Sequence, residues 1–309
     1  MSSVLPAILI FAVLGAPPQQ PPPASKPNSP PAATAPTAPP LEMSVPPGPG
    51  NVVWANSTAE AHDRAAAGGK FMFFEFTQDN CGNCQRMDTL IYSAFDLEAL
   101  LVSAIPMKID LESPEGKALA ARYSIDEAPS VLVTTPAGRL VFLMQGFVNQ
   151  GDFFRHAYEA IDGYRKWAKQ IDAQNVARLS AKEAFDSGNE LFHRSDPEAA
   201  LPRLKRAATA PGARAKQRED AIELLAAAEL DSGQPAASRK TIEQLIATTK
   251  DRERRERAEL FRAQIPLAEN RPAEALALFR KFQKDHPTSP HLARVRELVA
   301  RLQERVAKP

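Results

Sequence analysis

Cysteine is nearly absent from this chain: 309 residues contain two, Cys81 and Cys84. So few thiols exclude a structural disulfide framework, so packing must hold the fold and the pair is free for chemistry. Net charge is missing as well, since 38 basic and 37 acidic side chains of mixed sign leave +1. That balance excludes a broad basic face for nucleic acid or anionic lipid, and neither is expected as a partner. Histidine is scarce, and His62, His156, His193, His286 and His291 supply no second pair at ligand spacing. Zinc wants four ligands, so metal binding is the weakest reading of the two cysteines. An apolar run long enough to span a bilayer is lacking too: residues 4–16 give about a dozen positions where roughly 20 are needed.

What the chain does have is strong segmentation. Residues 1–16 read as a signal peptide, since the apolar run ends in small residues; that no Lys or Arg precedes the run and prolines follow Ala16 at once argues against it and leaves an uncleaved anchor open. A disordered apolar tail is the alternative. Residues 17–50 hold half of the 28 prolines, mixed with Ala, Ser, Thr and Gln, a composition that cannot bury enough apolar surface to fold. They form a linker, stiffened toward polyproline II. Export to the periplasm or another extracytoplasmic space, with a possible N-terminal membrane anchor, is the localisation this predicts.

Residues 51–166 alternate strand and helix, which predicts an α/β domain. Ser57 and Glu60 form a capping box for a helix that stops at Gly68-Gly69. A buried strand follows over 71–77, the cysteines open the next helix, and a second buried strand covers 105–111. Ser113-Pro114-Glu115 starts another helix. Strands at 130–134 and 140–145 flank a turn at Pro136-Ala137-Gly138-Arg139, and a last helix begins near Asp152.

From 167 to 309 the strands vanish and Ala, Leu, Arg and Glu recur at helical spacing. Pro197, Pro235 and Pro272 each open a helix about 37 residues apart. Ala275, Phe279, Phe282 and Pro287 sit where tetratricopeptide repeats place a small residue, aromatics and a closing proline, and Gly188, Leu191, Ala200, Leu204 and Ala207 fill similar places earlier. The expectation is an all-α, tetratricopeptide-like array of three helix pairs, capped by a helix at about 290–306. An unrelated helical bundle is the competing reading, and Pro266 within a helix is the main irregularity. The run from Asp251 to Arg257 alternates in sign and is expected to be a solvated face laced with ion pairs.

The candidate chemistry lies at Cys81-Gly82-Asn83-Cys84. A Cys-x-x-Cys opening a helix after a buried strand puts both sulfurs in the first helical turn. Cys81, at the helix N-terminus, feels unpaired N–H groups and the positive end of the dipole, which favour its thiolate and make it the attacking sulfur. Cys84, one turn deeper, is the resolving thiol. A static structural disulfide is the alternative. Glu75 interrupts an otherwise apolar strand; burial would raise its pKa and fit it to accept a proton from Cys84. Its alternative is an exposed strand edge or a pairing with Lys70. Pro129, between Ala128 and a strand starting at Ser130, suggests a cis bond in a tight turn that offers the Ala128 backbone to a substrate chain, although an isolated proline is usually trans.

With these residues in view, 53–161 resembles the thioredoxins, in particular the exported bacterial type typified by the C-terminal domain of the membrane thiol-disulfide interchange reductase. The resemblance is carried by Trp54 and the helix starting at Ser57, Gly69-Lys70, Glu75 six residues before Cys81, the Cys81 to Cys84 motif, Lys108-Ile109-Asp110, Ala128-Pro129-Ser130 and Gly146. It implies a thioredoxin fold, Cys81 and Cys84 as catalytic thiols with Glu75 as the buried acid, and Pro129 as the cis-proline. Gly82, Asn83, Ala128 and Pro129 become candidate substrate contacts. It implies no cofactor beyond the redox-active disulfide, with protein thiols or disulfides, an upstream electron donor or acceptor and a partner on the helical repeats as partners. Asn80 stands where thioredoxins have Trp, and Asn83 where they have Pro, so their reducing potential does not transfer. About 30 mV is a tenfold change in exchange equilibrium, enough for two neighbours of the sulfurs to set reductase against oxidase or isomerase. A different class also fits: a non-catalytic repeat scaffold or holdase on an inert thioredoxin-like platform.

Overall fold

The computed structural model describes residues 52–92 and 95–307. The expected signal or anchor at 1–16 and the proline-rich linker at 17–50 lie outside the described residues. Among those described, no helix is long and apolar enough to cross a membrane.

Helix α1 (Thr58–Gly68) begins where the Ser57 hydroxyl accepts the Glu60 amide at 3.1 Å. The return half of the expected capping box is displaced by one residue: the Glu60 carboxylate accepts the amide of Asn56 at 2.9 Å rather than that of Ser57. Gly69 closes the helix at φ 59°, a left-handed conformation that costs glycine nothing.

Strand β1 (Phe71–Thr77) is central. It runs parallel to β2 (Ala104–Asp110) and antiparallel to β3 (Ser130–Thr134), which pairs with β4 (Leu140–Gln145) in the order β2-β1-β3-β4. Both faces of β1 are covered, so its sequence is apolar without alternation. Phe73 packs with Met87, Ile91, Phe153 and Ile161 on one face, while Phe74 and Phe76 pack with Met107, Tyr123 and Leu132 on the other. The covering helices are α2 (Gly82–Leu90), α3 (Phe95–Leu101), α4 (Pro114–Tyr123) and α5 (Gln150–Asp172). Helix α3 was not expected, because its seven residues are too few to show helical periodicity. Helix α5 starts earlier than expected, at an Asn149 cap, and runs to Asp172, so the division placed between 166 and 167 falls inside a continuous helix.

Beyond a 3₁₀ turn (Val176–Arg178) come α6 (Ala181–His193), α7 (Pro197–Thr209), α8 (Ala215–Asp231), α9 (Pro235–Thr248), α10 (Arg252–Ala268), α11 (Pro272–Asp285) and α12 (Leu292–Ala307). Each packs on the next, and α8 also touches α6 and α10. The three prolines read from the sequence stand at helix starts, where the missing N–H has no partner to lose. Gly188 lets α6 and α7 approach closely: a Cβ there would lie 2.9 Å from the Leu204 side chain. Pro266 lies within α10 as expected, and Pro202 within α7.

The charged run starting at Asp251 is largely exposed and laced with ion pairs as expected, through Arg252–Glu256 and Arg257–Glu253, but departs from that character at two positions. Arg254 and Glu256 are buried, not solvated. Arg254 reaches back to α8, pairing with Asp220 at 2.5 Å and Glu223 at 2.9 Å, so it ties two helices of successive pairs together. A guanidinium this buried requires such partners.

The sheet and the helical array share a junction. Trp167 belongs to the core under the sheet and also to the core of α6, α7 and α8. Arg194 and Arg139 lie over its ring at 4.4 and 5.7 Å. The Leu140 amide donates to the Arg194 carbonyl at 2.7 Å, the Arg194 guanidinium returns a bond to the Leu140 carbonyl at 3.1 Å, and Arg139 pairs with Asp196 at 2.6 Å.

Candidate active site

Strand register fixes where the chemistry sits. Phe76 lies opposite Ser130, and Ser130 opposite Gln145. The loop leaving β1 toward Cys81, the turn entering β3 at Pro129 and the turn leaving β4 at Gly146 therefore share one end of the sheet. Leu140 and the array junction are at the other end, since Thr134 pairs with Met72 and Leu140.

Cys81 is the N-cap of α2, with extended backbone, and its Sγ accepts the Cys84 amide at 3.0 Å. One of the otherwise orphaned N–H groups of the helix thus points at this sulfur. Cys81 is half-exposed and Cys84 is 5% exposed; the two are joined as a disulfide with Cα atoms 5.2 Å apart. Gly82 and Asn83 are exposed between them. The Asn83 Oδ1 accepts from Arg86 at 3.4 Å, and the Arg86 guanidinium lies 4.1 Å over the Phe147 ring, tying α2 to the loop after β4.

The Ala128–Pro129 bond is cis. Pro129 is buried and its carbonyl accepts the Gly146 amide at 2.8 Å, while Ala128 is half-buried. Among the described residues the Ala128 amide and carbonyl enter no backbone hydrogen bond.

Glu75 is fully buried on the strand face toward α2, because it is two residues on from Phe73. Burial pushes its carboxyl up to about 7, and Lys108 opposes that shift. The ion pair is with Lys108, its neighbour across β2, at 3.2 Å and outside hydrogen-bonding angles; the Lys70 pairing weighed from the sequence is not formed. Lys108 also holds Asp88, which stands four residues after Cys84 on the same face of α2. Burial presses the ammonium toward neutrality, but Asp88 and Glu75 outweigh it and its pKa is raised. Trp54 and Tyr92 wall the ammonium at 5.1 and 5.3 Å from their ring centres and meet edge to face. Burial drives the Tyr92 phenol well above its ordinary range.

Of the positions expected to carry or frame the exchange, Cys81, Gly82, Asn83, Cys84, Ala128 and Pro129 thus fall near one sheet end, with Glu75 buried inside. Sequence reasoning named Lys108 only as part of the resemblance and passed over Asp88 and Tyr92. Asp88 had a usable signal, its helical spacing from Cys84; Lys108 had none before the strand register was known. Among the described residues no three His, Cys, Asp or Glu side chains are placed to hold a metal ion.

Residues 58–161 match the family described as a thioredoxin-like domain. Similar solved structures include a thioredoxin from Thermus thermophilus, at 25% identity over 33% of this chain and 81% of that one, TM-score 0.31. A DsbH oxidoreductase aligns at 17% identity over 41% and 95% of the two chains, TM-score 0.34. The oxidised C-terminal domain of Neisseria meningitidis DsbD aligns at 20% identity over 33% and 90%, TM-score 0.30. No curated protein sequence matches this chain. Residues 58–161 are therefore a thioredoxin-like domain, followed by a largely helical C-terminal part.

Proposed function

We propose that this chain is a thiol-disulfide oxidoreductase acting on protein clients through Cys81 and Cys84. One observation carries the reading: the sulfur of Cys81, a partly buried residue, receives a helix N-terminal amide, with Cys84 buried one turn behind. In the reduced protein that amide and the helix dipole favour the Cys81 thiolate. The thiolate attacks a client disulfide, one client sulfur leaves as thiolate, and a mixed disulfide forms. Cys84 then gives its proton to Glu75 and attacks the Cys81 sulfur; the second client sulfur leaves, and the chain retains the disulfide. Two electrons have passed to the client, and a donor protein must return them. The reverse sequence oxidises a client dithiol, and partner potentials set the direction.

Gly82, Asn83 and the Ala128–Pro129 turn form the client platform, with the Ala128 backbone pairing to an extended segment. No metal or organic cofactor enters the scheme. The helical part is read as a tetratricopeptide-type array that binds a protein partner, and the apolar N-terminal run as the signal or anchor that brings the domain outside the cytoplasm.

The reading is tested with insulin as disulfide substrate. Cys81→Ser is expected to abolish exchange, and Cys84→Ser to accumulate mixed disulfides resolved by non-reducing electrophoresis. Wild-type exchange rates in both variants overturn it.

A further inference from the structure

Glu75, the proposed proton acceptor, shares its ion-pair partner with a second carboxylate. The Lys108 ammonium lies 3.2 Å from the buried Glu75 carboxylate and in contact with the carboxylate of Asp88, which is half-exposed on the turn of α2 after Cys84. Trp54 and Tyr92 close over the same ammonium, sealing its Glu75 side, while its Asp88 side reaches solvent. A single cation between two anions divides its charge between them, and what one anion holds the other loses, with solvent screening the Asp88 side. The geometry points to Asp88 as a positioning residue: by holding Lys108, it sets how strongly Glu75 keeps a proton, and so the pH at which Cys84 is released to attack. The functional half of this inference rests on the oxidoreductase reading above; the electrostatic half does not.

The groups facing Glu75 are Lys108 from β2, Asp88 from α2 and the Tyr92 hydroxyl from the turn after α2. Removal of the Asp88 charge leaves Lys108 to Glu75 alone. The Glu75 midpoint should then fall, since its carboxylate gains the undivided attraction of Lys108 and loses the repulsion of Asp88, charge effects of roughly one unit.

The experiment follows the Glu75 carboxyl by carbon-13 NMR in the oxidised full-length chain, where no thiol titrates, for wild type, Asp88→Asn, Lys108→Gln and the double variant. Exchange against pH is measured in parallel. A fall of roughly one unit in Asp88→Asn, smaller in the Lys108→Gln background and restored toward wild type by Asp88→Glu, supports the assignment. A matching shift of the acidic limb of exchange to lower pH completes it. An unchanged Glu75 midpoint in Asp88→Asn overturns it, as does a fall of equal size without Lys108, which makes Asp88 a direct field effect. A shifted midpoint with an unmoved exchange profile overturns the functional half. Absence of exchange in wild type at every pH would instead reject the oxidoreductase reading while the NMR arm still decides the electrostatics. Asp88→Ser, also at a half-exposed position, replaces Asp88→Asn if that variant does not fold.

Discussion

The two ends of the four-stranded sheet are built from different materials. At one end are a cysteine pair on a helix cap, two exposed polar or small residues between them, a cis-proline turn with an unpaired neighbouring backbone, and a buried carboxyl. At the other end, Trp167 lies against two guanidinium groups, the Leu140 and Arg194 backbones are joined, and the first turn of the helical array covers the hairpin. Free backbone and half-satisfied charge gather at the first end, while at the second the polar groups are paired across the junction.

The comparison is broken most directly at Trp167. Trp167→Ala is expected to cost about 4 kcal/mol, since it removes an aromatic shared by two cores. Calorimetry should then show the sheet and the array unfolding apart, whereas an unchanged single transition would mean the junction is not a shared core. Glu75→Gln sharpens the other side. The folded carboxyl titrates near 7, against 4.5 when unperturbed. Below pH 4.5 it is protonated folded or unfolded and has no effect; as pH rises from 4.5 to 7 the unfolded chain ionises first, and the folded state loses roughly 3 kcal/mol. Urea titrations should find Glu75→Gln matching wild type near pH 4 and more stable at pH 8, while its exchange slows. Equal stability at both pH values would show that Glu75 is not held protonated by burial. The smallest effect is expected at Asp196, whose pair with Arg139 is mostly buried. Asp196→Ala should cost about 1 kcal/mol and leave insulin exchange untouched, and a loss of exchange there would abolish the division of labour between the ends.

What was legible in the sequence was local. Ser57, Pro114, Pro197, Pro235 and Pro272 mark helix starts within a few residues, because a cap or a missing N–H acts on its own turn. The cysteine spacing exposed the site for the same reason. What stayed hidden was set by distance along the chain. Lys108 meets Glu75 only through strand register, Arg254 is buried only because α8 supplies three carboxylates 31 to 35 residues earlier, and α5 outruns the expected division because its last turns pack on the array. Composition also misled at Arg254: alternating charge is the signature of a wet surface, and nothing local distinguishes a charge that neighbours will cover.

Helix α5 begins beside the loop that Arg86 grips and ends inside the array. Its continuity joins grip and scaffold into one lever. On the oxidoreductase reading proposed above, a client bonded to Cys81 would be held by a body that runs without a break through this helix into the array.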